Sequence, residues 1–372
     1  MARSVGPSRR ELLAAASAGL MVSVAASAVS GQAQPSALTP PQLAGQRVIY
    51  SYPGPTPPPA LFDAIHAGRA AGVIFFGDNI TDLAQIAGVV AQLRQAQAQS
   101  PIGVPLLLMT DQEGGLVRRL PGEPVLSAKQ VGQSADPVSA AVAAGTGAGR
   151  TLRGVGMNVN LAPVLDVYDT PGNFIDGTGR SFGNNPGLVA TLGTAFLAAQ
   201  QNVTGVAATV KHFPGLGRAA ADQNTDETPV TIPADISALH AVDEAPYPVA
   251  VTAGVKLVML SWAVYPALDP DHPAGLSPTI IGRELRDHIG FRGVTITDAL
   301  EAGSLAAFGS TGERAVAAAS AGMDLILCAA RDVGQGEAAT TALADACTGG
   351  RLDPAAFTDA VGRVTALRAG LF

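Results

Sequence analysis

Val206-Ala-Ala-Thr-Val-Lys211-His212-Phe213-Pro214-Gly215-Leu216-Gly217 decides how this chain folds. A short, largely apolar run ends in a Lys-His pair and then in Pro and two Gly, the pattern of a buried strand emptying into a loop of fixed shape. In a parallel α/β fold ligands sit at such places, because the carboxyl ends of the strands open onto the loops that carry chemistry. The loop continues as Arg218-Ala-Ala-Ala-Asp222-Gln-Asn224-Thr-Asp226-Glu227, rich in carboxylates.

The same theme recurs along the 372 residues: a short apolar run, turn residues, then a longer stretch of helical spacing. The other runs begin at Arg47, Gly72, Val104, Met157, Lys256, Gly293 and Met323, which makes eight. Helices are expected between them, for example over Pro137–Gly154 and Pro186–Asn202. Eight near-continuous apolar strands alternating with helices predict a single (β/α)8 TIM-type barrel, whose strands are buried on both faces. A doubly wound open sheet fits less well, given the strand count and the lack of a Gly-rich dinucleotide fingerprint after the first strand. After the eighth strand, the expected helices Val333–Thr348 and Pro354–Ala369 close the barrel and leave no second domain.

Residues 1–33 have the form of a twin-arginine export signal: Arg9-Arg10, an Ala-rich apolar run, and Ala26-Ser27-Ala28 for cleavage. An uncleaved anchor helix is the alternative, although the run is weakly apolar for a span. A Pro-rich lead over 34–41 and a barrel over 42–372 complete the expected organisation. The expected destination is the periplasm, the cell wall or the exterior, without stable membrane insertion after cleavage. A net charge of -7 argues against a nucleic-acid surface. Cys328 and Cys347 suit neither a disulfide framework nor a metal site and are expected to be unpaired packing residues. No ligand cluster argues for a metal, no cofactor is expected, and the chain is expected to be a monomer.

The predicted strand ends carry a concentrated set of polar groups. The third delivers Asp111-Gln112-Glu113-Gly114-Gly115 and Arg119; the fourth Asp166, with Arg180 in its long loop; the fifth Lys211 and His212; the sixth Trp262; the seventh Asp298. Such an array of donors and acceptors is what orienting a polyhydroxylated ring requires. Trp262, the only Trp, is expected to stack on a sugar face or to serve as a core aromatic. Asp166 is expected to be a structural carboxylate.

Lys211-His-Phe-Pro-Gly-Leu-Gly217, Asp111-Gln-Glu-Gly-Gly115 with Arg119, Ala162-Pro-Val-Leu-Asp166, Arg180-Ser-Phe-Gly183 and Thr297-Asp298-Ala-Leu are similar to the motifs of the single-domain β-N-acetylglucosaminidases of glycoside hydrolase family 3. The resemblance extends over about residues 40 to 372. It implies hydrolysis of terminal β-linked N-acetylglucosamine, often from peptidoglycan fragments, with retention of configuration through a covalent glycosyl-enzyme. By matched position Asp298 would be the nucleophile, and Asp111, Arg119, Arg180, Lys211 and His212 would bind the sugar.

Two departures stand out. Where that subgroup carries an Asp-Ser-His triplet whose His is the general acid/base, this chain reads Asp222-Gln223-Asn224, and Asn224 cannot exchange a proton near neutral pH. Trp262 replaces the usual His at the sixth strand end. Three readings follow: a glycosidase in which Asp222 or Asp226 is the acid/base, with a β-glucoside as the second substrate choice; a sugar-binding protein without efficient turnover; and a Schiff-base lyase using Lys211.

Overall fold

The computed structural model describes Met1 and residues 38–372; the expected export signal, apart from Met1, and the lead as far as residue 37 lie outside the described residues. Within the unit Leu38–Phe372 the lead ends earlier than expected. Pro40–Gly45 is already helical, with the Thr39 N–H donating to the Gln42 side chain at 3.0 Å.

Eight parallel strands close into a barrel: β1 (Val48–Tyr50), β2 (Gly72–Ile74), β3 (Leu107–Thr110), β4 (Val159–Asn160), β5 (Ala207–Phe213), β6 (Leu257–Leu260), β7 (Val294–Ala299) and β8 (Leu325–Leu327). Each pairs with its neighbours in sequence, and β8 pairs with β1. Alternation along each strand divides the core in two. Ile49, Leu107, Met109, Leu257, Ile296 and Leu325 point into the barrel, whereas Val48, Leu108, Val210, Val258 and Ile326 pack under the helices. Both faces being apolar explains why the strands read as continuous apolar runs rather than as alternating ones.

The outer helices start where an oxygen-bearing side chain precedes a proline or a helix former. Asp136, Asn185 and Asp353 each stand just before a Pro at the first helical position and accept a backbone N–H at 3.1, 3.0 and 2.7 Å. Each cap contributes about 1 kcal/mol and fixes the point at which the chain turns back along the barrel. Pro137–Gly154, Val333–Thr348 and Pro354–Ala369 match the expected limits, and Pro186–Thr204 extends two residues past its expected end. Among the described residues no helix is long and apolar enough to cross a membrane. Cys328 and Cys347 are unpaired.

Three features that shape the carboxyl-terminal mouth are absent from the simple repeat. A hairpin of Gln112–Gly114 and Val117–Arg118 rises from β3. A second, Val264–Tyr265 with Asp269–Pro273, rises from β6. Strand β5 runs on through Lys211, His212 and Phe213, past the expected stop at Val210, with a register shift against β6 between Val210 and Phe213. The Lys211-His212 pair therefore sits in the strand itself, fixed by the barrel.

Candidate active site

A cavity of about 300 Å³ opens at the carboxyl-terminal mouth. That is the lower end of the range for small-ligand sites. Its floor is the top layer of barrel side chains, Ile74, Leu161, Met259 and Leu327, and its walls carry Asp111, Arg119, Arg180, Lys211, His212, Asp226 and Asp298. Seven of the nine expected site residues thus share one cleft: all but Asp222 and Trp262.

One wall is a closed ionic network. Lys211 Nζ lies 2.6 Å from both Asp111 Oδ1 and Glu113 Oε1. Arg180 grips Glu113 through two bonds, Nε to Oε2 at 2.9 Å and Nη2 to Oε1 at 2.8 Å. Such planar, bidentate pairing locks a guanidinium in one orientation. Burial by itself would raise the Glu113 carboxyl, but the Arg180 and Lys211 charges override it and hold Glu113 well below the usual carboxylate range. Burial would likewise push the Lys211 amine down, and Asp111 and Glu113 reverse that and keep it above the ordinary lysine value. A lysine held as an ammonium is the opposite of the neutral amine a Schiff base needs, which removes the footing of the lyase reading.

His212 is held from behind. Its Nδ1 lies 2.7 Å from Asp166 Oδ2, while Asp166 Oδ1 accepts the backbone N–H groups of His212 and Leu216 at 3.2 and 2.7 Å. Desolvation works to raise the fully buried Asp166, yet His212 and these N–H donors hold its carboxyl low. With a carboxylate on Nδ1, that nitrogen carries the proton and Nε2 faces Arg180 Nη2 at 3.4 Å and the cavity. Asp166 is thus the structural carboxylate expected, and its role is to orient the imidazole. Glu113 is the residue that sequence reasoning passed over: its signal was a second charge in the Asp-Gln-Glu run, two positions from Asp111 and so on the same side of an extended segment.

The same cavity is lined by Asp298 and Asp226. Asp298 Oδ1 accepts the Ala299 N–H at 2.8 Å. Asp226 stands at the mouth, open to solvent on one side, and its carboxyl is pushed up to about 6 by desolvation first and by the Asp298 charge second, against the pull of His212 and Arg180. Its position is fixed by backbone. The Asp226 carbonyl accepts from Gly303 N–H at 2.7 Å, the Thr225 carbonyl accepts from Ser304 N–H at 3.2 Å, and a Cβ on Gly303 would run into the Glu227 carbonyl. The loop after β5 is thereby pinned to the loop after β7, the carrier of Asp298. Asn224, where a catalytic His was expected by resemblance, accepts the Asp226 N–H on its side-chain oxygen at 3.0 Å. It also lines the cavity. That bond is an Asx turn that presents Asp226.

Two expectations are corrected. Asp222 is exposed and does not line the cavity, whereas Asp226 does. Trp262 is 1% exposed, donates its indole N–H to the Ala299 carbonyl at 2.9 Å and packs against Gly275. Having no free face, it supports the segment that bears Asp298, and the aromatic rings available to a ligand are Phe76 and Phe174.

A mouth lined by carboxylates and cations on a (β/α)8 frame defines the class, an enzyme acting on a polyhydroxylated substrate. Comparison with known proteins gives the family. Residues 59–367 match the glycosyl hydrolase family 3 N terminal domain, and the chain belongs to that family and is a glycosidase. It is 46% identical over 330 residues to an uncharacterized secreted glycosyl hydrolase from Arthroderma benhamiae, covering 88% of this chain and 93% of the relative. A beta-hexosaminidase from Xanthomonas oryzae pv. oryzae is 35% identical, covering 81% and 87%. The structure of a glycoside hydrolase family 3 beta-N-acetylglucosaminidase from a Paenibacillus species superposes with a TM-score of 0.84 at 37% identity. The match covers 90% of this chain, which spans 63% of the length of that larger protein.

Proposed function

We propose that the protein is an exported, retaining glycoside hydrolase that removes terminal β-linked N-acetylglucosamine, or a related β-sugar, through a covalent glycosyl-Asp298 intermediate. The observation that carries this reading is the pairing, in one cleft, of Asp298 with an Asp226 whose carboxyl is pushed up to about 6. A carboxyl pushed up beside a second carboxyl in the same cleft suits an acid paired with a nucleophile. The ionised Asp298 attacks the anomeric carbon as Asp226 passes its proton to the leaving oxygen. Once Asp298 is esterified its charge is gone, and with it the second contribution to the raised Asp226 value, so the Asp226 carboxylate left by the first proton transfer persists and can take a proton from the attacking water. The fixed donors and acceptors of Asp111, Arg119, Lys211, Arg180 and His212 are suited to holding the hydroxyl groups of the ring, and the Arg119 Nε is buried with no partner among the described residues. The beta-hexosaminidase and beta-N-acetylglucosaminidase relatives support N-acetylglucosamine as the sugar. For an exported enzyme, peptidoglycan fragments are the natural source to which this reading extends.

The test is hydrolysis of a panel of β-aryl sugars by the purified protein, with the anomer of the first-formed product followed by NMR. The expected outcome is fastest release from the N-acetylglucosaminide, the β-anomer appearing first. Saturable sugar binding with no product from any substrate would instead support the sugar-binding reading, and an α-anomer as first product would remove the covalent intermediate.

A further inference from the structure

Away from the catalytic mouth, two outer helices bring together four ligand-type side chains that none of the reactions above uses. His240 and Glu244 come from the segment between β5 and β6, around the helical turn Leu239–Asp243, and Glu284 and His288 from the helix Thr279–His288 between β6 and β7. Each pair is spaced i, i+4, so each presents two ligands on one helix face. One ligand atom from each residue lies within 4.8 Å of all the others, and none of the four residues lines the catalytic cavity.

The members are not equally satisfied. His240 Nε2 meets Glu284 Oε2 at 3.0 Å, and the His240 and His288 rings stack with centroids 4.5 Å apart. Glu244 is 1% exposed, neither of its carboxylate oxygens has a hydrogen-bond partner among the described residues, and its Oε2 stands 3.9 Å from His240 Nε2. A buried carboxylate left without a donor costs several kcal/mol or gives up its charge, unless a cation joins it. The neighbouring Asp243 cannot help, since it is itself acidic and turns to Arg218 at 2.8 Å.

We propose that His240, Glu244, Glu284 and His288 form a structural site for a divalent transition-metal ion, zinc by ligand type, that ties the two helices together. Two imidazoles with two carboxylates suit zinc, whereas calcium and magnesium favour oxygen ligands alone. Four protein ligands fill a tetrahedral shell and leave no position for substrate, which makes the role structural. Metal–ligand bonds of about 2.1 Å put ligand atoms about 3.4 Å apart, so the side chains close by roughly an ångström on binding, a movement open to the half-exposed His240 and the exposed His288.

The experiment uses the full chain without a histidine tag, stripped with a chelator and titrated with zinc chloride or magnesium chloride, reading bound metal by mass spectrometry and melting temperature by calorimetry. Zinc is expected to bind at one equivalent and raise the melting temperature by about 5 °C at saturating concentration, and magnesium to do neither. Glu244→Gln and His288→Ala are each expected to weaken zinc binding by at least about 100-fold, beyond what loss of an outer-shell partner costs. Metal-free Glu244→Gln should melt no lower than the metal-free parent, because it removes an unpartnered charge. His288→Ala alters an exposed side chain and so gives a second reading if the Glu244 variant folds poorly. Zinc without effect on melting, zinc affinity unchanged in both variants, or zinc binding abolished by Asp298→Ala would each overturn the site, the last by moving the ion to the catalytic mouth.

Discussion

The two mouths of the barrel treat their carboxylates in opposite ways. At the amino-terminal mouth Asp324, fully buried just ahead of β8, is saturated: Oδ1 accepts from Arg363 Nε and Nη2 at 3.0 and 2.8 Å, and Oδ2 from Arg286 Nη2 and the Thr295 N–H at 2.8 and 2.9 Å. At the carboxyl-terminal mouth Glu113 is similarly locked, but Asp298 and Asp226 line one cavity and, among the described residues, no guanidinium grips either. Saturation gives stability and silences a group chemically, whereas Asp226, without such donors and beside Asp298, has its carboxyl pushed up to about 6. The same residue type is therefore a rivet at one end and, in the mechanism proposed above, a reagent at the other, and the donors around it differ.

That contrast can be broken first at Asp298. Asp298→Ala is expected to lower kcat by about 10⁴-fold or more while the melting temperature stays near that of the parent, measured by aryl-glycoside hydrolysis beside calorimetry. Asp226→Asn should cost about 10³-fold on a natural disaccharide and far less on an aryl glycoside with a good leaving group, since only the poor leaving group needs the proton. The same substitution should abolish the pH limb near 6 in the disaccharide profile. At the other mouth, Asp324→Asn should destabilise by about 3 kcal/mol in denaturant titration through the stranded arginines, with KM of the folded enzyme unchanged. The smallest effect is expected from Trp262→Phe: about 1 kcal/mol of stability from the lost Ala299 bond, with KM within about twofold of the parent. A tenfold rise in KM would restore the stacking role.

The raised Asp226 value also has a sign in stability. In the folded state its carboxyl holds a proton up to about pH 6, against 3.8 as the usual value, so the folded form binds more protons across that window. Its contribution to stability is fully present below 3.8 and is lost as the pH rises through about 6. Urea midpoints between pH 4 and pH 7 should fall less steeply in Asp226→Asn than in the parent.

The repeat of apolar runs and caps determined the barrel, because strands buried on both faces and helices started by Asp-Pro or Asn-Pro leave local marks in the sequence. Lys211, His212, Asp111, Arg119, Arg180 and Asp298 were legible too, as polar groups where apolar runs stop. What the chain order could not decide was which carboxylate of the Asp222 to Asp226 loop faces the cavity. Two backbone bonds to Gly303 and Ser304, nearly eighty residues away, choose Asp226. Nor could it show that Trp262 faces inward, or that Glu113 holds two cations at once. The sequence reading found no metal-ligand cluster, because only helix packing brings His240, Glu244, Glu284 and His288 together. Periodicity is a local property of a chain, whereas the protonation and partners of a side chain depend on charges and burial contributed by distant segments, and those exist only after the barrel has closed.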